Sequence, residues 1–93
     1  MRQAIDITIE ESENIERLFL KYNSYISMLE YLTNANVSNT EIYEKKWNET
    51  AELWIQLDRA KAAAEIKYKP EGSWDRYEFD FNNHQVVFVR DEA

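Results

Sequence analysis

IEESENIERLFLKYNSYISMLEYLT, residues 9–33, is the stretch whose spacing decides the fold. Within it Ile15, Leu18, Phe19, Tyr22, Tyr25, Ile26, Leu29 and Leu32 recur three and four residues apart, which is one buried face of a long helix. Just before the first of these, Thr8 followed by Glu11 has the form of a capping box, in which each side chain reaches the other's backbone amide. Glu10, Glu11 and Glu13 then occupy the first turns, where the helix dipole favours negative charge. The first helix is therefore expected over about residues 9–33.

A second apolar series, Tyr43, Trp47, Thr50, Trp54, Leu57, Ala60, Ala64 and Tyr68, begins after the polar break at residues 34–39. That break holds three Asn and a Ser, residues that compete for backbone hydrogen bonds and tolerate left-handed geometry. Ser38 and Glu41 suggest another capping box, so a second helix is expected over about residues 39–69, ending before Pro70. With so short a turn the helices run antiparallel, and residues whose numbers sum to about 73 lie opposite. The charges agree. Asp6 to Glu16 carries five acids and no base, and it faces Arg59 to Lys69, with four bases and one acid. On this seam Trp47 and Trp54 read as core residues. The alanines at 60, 62, 63 and 64 mark a close approach by another element.

Downstream, Tyr77, Phe79 and Phe81 alternate with Glu78 and Asp80, and Val86 and Phe88 return after a turn at Asn82 and Asn83. This predicts a β-hairpin over about residues 74–89. A loop centred on Asn82-Asn83 pairs Phe79 with Val86, whereas a loop centred on Asn83-His84 pairs Phe79 with Phe88, and the pattern does not choose between them. Ala4 to Ile9 also alternates, so a short N-terminal strand competes there with an earlier helix start. The expectation is an α+β fold forming a single domain over residues 1–93: a long antiparallel two-helix hairpin, then a C-terminal antiparallel β-hairpin, with room for a short N-terminal strand.

Composition bounds function. The 93 residues hold no cysteine, one glycine, one histidine and a formal charge of −7. Disulfides, thiolate chemistry and Gly-rich phosphate loops are thereby excluded, and attraction to nucleic-acid phosphate or anionic lipid is disfavoured. No apolar run approaches the roughly 18 residues needed to span a bilayer, and a cytoplasmic protein is expected. His84 has no ligand partner at metal spacing and reads as an exposed turn residue. Glu41, Glu44, Glu49 and Glu52 lack the Glu-x-x-His pairs of carboxylate metal sites and read as a solvated face. No cofactor, metal or catalytic residue is expected.

Two long helices outrun a short hairpin, and Ile42, Leu53, Ile55 and Ile66 widen the apolar face of the second helix. A homodimer is the expected way to cover the surplus, a monomer being the alternative. Residues 67–88, KYKPEGSWDRYEFDFNNHQVVF, resemble a segment of small accessory proteins of clostridial systems that modify ribosomally made peptides of the CXXX-repeat type. Lys67, Tyr68, Trp74, Phe79, Asp80 and Phe81 carry the likeness, which covers about a quarter of the chain. It implies a non-catalytic accessory role.

The leading expectation is a protein- or peptide-interaction module that uses a hairpin edge or a helical groove, with Trp74, Tyr77, Phe79, Phe81 and Phe88 as the candidate contact residues. An acidic inhibitor or antitoxin-like protein that blocks a basic nucleic-acid-binding surface is the alternative. An enzyme working with carboxylates and tyrosines alone is a third.

Overall fold

The computed structural model describes residues 1–37 and 40–91 and is of the α+β class. Its elements run β1 (Arg2–Asp6), α1 (Ile9–Asn34), α2 (Glu41–Tyr68), β2 (Arg76–Asp80) and β3 (Gln85–Val89). Two helices are thus followed by an antiparallel β-hairpin, and an N-terminal strand joins the same sheet. The chain forms two compact units: Met1–Glu16 with Ala60–Ala93, and Arg17–Arg59.

In the first unit β3 lies between β1 and β2, antiparallel to both. Phe79 pairs with Val86 and Tyr77 with Phe88, which selects the first of the two registers open to the sequence. The loop, however, is longer than two residues. Asp80 and Gln85 form the last pair, and four residues connect them. Asn83 donates its backbone amide and its side-chain amide to the two Asp80 carboxylate oxygens, at 3.2 and 2.8 Å, which closes the turn. Positive φ falls on His84, at 52°, and not on either asparagine.

That backbone turns His84 inward, correcting its reading as an exposed residue. Its Nδ1 is hydrogen-bonded at 3.0 Å to the hydroxyl of Ser12, itself 1% exposed on the second turn of α1, and its carbonyl accepts from the Ile7 amide. A buried hydroxyl without a partner is costly, so this bond fixes the loop against the start of the helix.

The alternation of β1 puts Gln3 and Ile5 on the face that carries Val86, Phe88, Tyr77 and Phe79. Ile7, Val86 and Phe88 form the buried centre, with Ile5, Tyr68, Trp74, Tyr77 and Phe79 packed around it. Ile9, which shares the parity of Ile5 and Ile7, is already helical and exposed. On the other face Val87 and Val89 are buried too, and an Arg2–Glu78 ion pair reaches across β3 between the flanking strands.

The expected Thr8–Glu11 capping box is present. The Glu11 amide donates to the Thr8 hydroxyl at 3.0 Å, and the Thr8 amide donates to the Glu11 carboxylate at 3.1 Å. The start of α2 differs from expectation: Ser38 lies outside the described residues, and the Thr40 hydroxyl accepts from the Tyr43 amide as the N-cap.

Glu11 also joins the helices, accepting from the Tyr68 hydroxyl and pairing with the Lys67 ammonium at 3.3 Å. Of the expected match between acids on the first helix and bases on the second, the Glu11–Lys67 pair is present. In the Arg17–Arg59 unit, Tyr22 meets Trp54 at a ring separation of 5.4 Å, and the Lys46 ammonium lies 4.2 Å from the Tyr25 ring centre.

Burial pushes the Glu11 carboxyl up, but hydrogen bonds from Tyr68, Thr8 and Lys67 outweigh it and bring the pKa down from 4.5 to about 2. A carboxylate with a lowered pKa stabilises the fold fully above its ordinary value and loses that contribution as the pH falls toward about 2. The full shift corresponds to about 3 kcal/mol, and partial exposure of the side chain reduces this to about 1–2 kcal/mol. Glu11→Gln is therefore expected to lower stability by that amount at pH 7 and to flatten the loss between about pH 5 and pH 2, as read by urea unfolding at a series of pH values.

Gly72 supplies the other strict local requirement. Its φ is 107°, and an added Cβ would lie 2.7 Å from the Arg90 guanidinium, which stacks over the Trp74 ring. Gly72→Ala is expected to destabilise by about 1–2 kcal/mol in chemical denaturation, through backbone strain together with displacement of Arg90.

Candidate functional site

The five aromatic residues singled out from the sequence all lie in the unit that carries the sheet. Phe88 is 1% exposed, at the centre of the core, while Trp74, Tyr77, Phe79 and Phe81 are half-buried. Tyr77 touches both Phe79 and Phe88, and Phe81 stacks on Phe79 at 6.0 Å. Trp74 packs on Phe88 and donates its indole N–H to the Pro70 carbonyl. Trp74, Tyr77 and Phe88 also line a hollow of about 290 Å³ beside Lys61, Lys69 and Arg76. There Arg76 is already held by Asp91 at 2.6 Å, which raises its pKa.

Strand edges fall differently from the hairpin expected on its own. Because β3 is bonded on both sides, Gln85–Val89 offers no edge, and the outer edges belong to β1 and β2.

In the Arg17–Arg59 unit the apolar seam is rotated from its expected position. On α2 the buried residues of this unit are Thr50, Leu53 and Leu57, so Leu53 lies on the seam and not beside it. At about 100° per residue, Trp54 stands a quarter-turn or more from Leu53, and Trp47 lies on the same side. Both indoles are consequently surface groups, 56% exposed at Trp47 and 49% at Trp54. The burial of Thr50 is satisfied internally, since its hydroxyl donates to the Lys46 carbonyl at 2.7 Å.

Tyr22 and Ile26 of α1, the two indoles, Thr50 and Ala51 line a hollow of about 250 Å³. A second hollow of about 440 Å³ continues from it, sharing Ile26 and Trp47 and reaching Tyr43, Glu30 and Asn34. Together they form a trough whose lining, among the described residues, carries one charged side chain, Glu30. Lys21 and Lys46 gather instead on the ring of Tyr25, which does not line it. Lys46 also pairs with Glu49 at 2.9 Å, holding the Glu49 carboxyl below its usual range.

Periodicity picked out the residues of this trough but assigned them to the core. The missed signal was Leu53: a Thr50–Leu53–Leu57–Ala64 line buries smaller side chains and leaves both tryptophans outside it. Among the described residues every buried side-chain polar atom has a partner, and no three of His, Cys, Asp and Glu gather to hold a metal ion. None of the described helices is long and apolar enough to cross a membrane. Comparisons with protein-family models, with curated proteins and with solved structures found no match.

Proposed function

We propose that this chain is a non-catalytic interaction module that receives a protein or peptide in the aromatic trough of residues 17–59 and acts in the cytoplasm. The observation that carries the reading is the half-exposure of Trp47 and Trp54 on one side of α2, bordering a continuous apolar depression. Large aromatic side chains left partly in water are the groups that contribute most when a partner desolvates them. The trough lining offers no paired nucleophile and base, and its buried hydroxyl at Thr50 is engaged by its own helix. In the setting that the sequence resemblance implies, the partner belongs to a peptide-modification system.

A homodimer is the competing way to cover the trough, making a four-helix bundle about a twofold axis. The acidic-inhibitor reading has its own support in charge distribution. Residues 17–59 hold five bases and six acids, while the remainder of the chain holds six bases and twelve acids. Binding to a basic protein that weakens steeply with salt would favour that reading.

The test compares the wild-type chain with the Trp47→Ala/Trp54→Ala double variant in affinity co-purification from the native host, with light scattering at micromolar concentration. The expected result is a co-purifying partner reduced tenfold or more by the double variant, with the oligomeric state and the cooperative melt of the wild type retained. Equal recovery by both proteins would overturn the trough as the docking site, and a wild-type dimer that the double variant dissociates would assign it to self-association.

A further inference from the structure

The module reading leaves the occupant open, and three features of the trough narrow it. The first is its walls. Both are helices, α1 and α2, whose backbone groups are bonded within each helix, so an extended peptide laid between them finds no ladder of donors and acceptors. A helical occupant brings its own backbone bonds satisfied.

Spacing is the second feature. Trp47 and Trp54 are seven residues apart, about 10 Å along α2, and Tyr43 extends the line by another turn. Side chains at i, i+3 or i+4, and i+7 of a docked helix recur over that same length.

Charge is the third. Among the described residues of the lining, Glu30 is the one acidic or basic side chain, in the last turns of α1 beside Thr33 and Asn34. That helix carries no basic residue in its last turn, so the negative end of its dipole is uncompensated by its own side chains. The lysines of the unit that are held in place, Lys21 and Lys46, sit on Tyr25 outside the trough. This end of an otherwise uncharged depression therefore favours a cation supplied by the occupant. A second copy would bring another Glu30 and no base from the lining.

We propose that the trough binds one amphipathic α-helix of a protein partner, an apolar i, i+3, i+7 face seated against Trp47 and Trp54 and a Lys or Arg placed at the Glu30 end. This rests on the interaction-module reading and specifies the partner's chemistry.

The probes are two synthetic helical peptides of about 18 residues with the same leucine face, one carrying Lys at both ends and the other Glu. Each is titrated into the isotope-labelled full chain at low and high salt, following the amides of Tyr22, Ile26 and Ala51 and the indole N–H signals of Trp47 and Trp54. The expected result is saturable shifts at these groups, with the Lys peptide binding about tenfold more tightly than the Glu peptide at low salt. Glu30→Gln is expected to remove most of that preference, and Trp47→Ala/Trp54→Ala to weaken both peptides tenfold or more. Equal binding of both peptides in the trough, unaffected by Glu30→Gln, would overturn the cationic occupant and leave the module reading standing. Failure of both peptides would overturn the helical occupant. If the same signals instead shift with the concentration of the chain alone, a second copy fills the trough and both readings fall.

Discussion

Hydrogen bonding of β3 on both of its sides is the constraint on which the sheet-bearing unit depends. Val86, Val87, Phe88 and Val89 are consecutive and all buried, a pattern that only a central strand with both faces covered can support. Supplying one flank falls to β1, whose Arg2 pairs opposite Val89. On one side of the strand Ile5, Tyr77 and Phe79 close over Val86 and Phe88. On the other the Arg2–Glu78 pair lies across the face that carries Val87 and Val89. Removing β1 would expose an apolar edge as well as one face of the core, so its five residues contribute far more than their own contacts.

Polar contacts then fix the helices to that sheet. Glu11 is shared by the Thr8 cap, the Tyr68 hydroxyl and Lys67, so one carboxylate closes the start of α1 and ties it to the end of α2. The Ser12–His84 bond does the same for the β2–β3 loop. Both contacts lie within the first two turns of α1. Short-range capping chemistry and long-range docking thus use the same few residues.

Local rules account for what could be read in advance. The capping box at Thr8, the helix stop near Pro70 and the alternation through Tyr77 and Phe79 depend on neighbours within four residues, and each appears in the structure, whereas Phe81 falls in the turn beyond β2. What escaped reading depended on partners far along the chain. The central position of β3 follows from pairing with residues more than seventy positions away, and the left-handed backbone at His84 is stabilised by a hydroxyl 72 residues distant. Trp47 and Trp54 were misplaced for another reason. A three-and-four spacing fits two overlapping faces of one helix, and hydrophobicity alone prefers the larger side chains, whereas the line buried in this unit runs through Leu53 and Leu57.

The pairing of Arg2 with Val89 joins the two ends of the described chain, with both helices contained in the loop between them. A sheet closed in this way has high contact order, because β1 can pair only once a strand about eighty residues further along has been made. During synthesis residues 17–59 emerge complete while Arg2–Asp6 still waits for its partner. The helical segment that lines the trough is thus complete before the sheet can close.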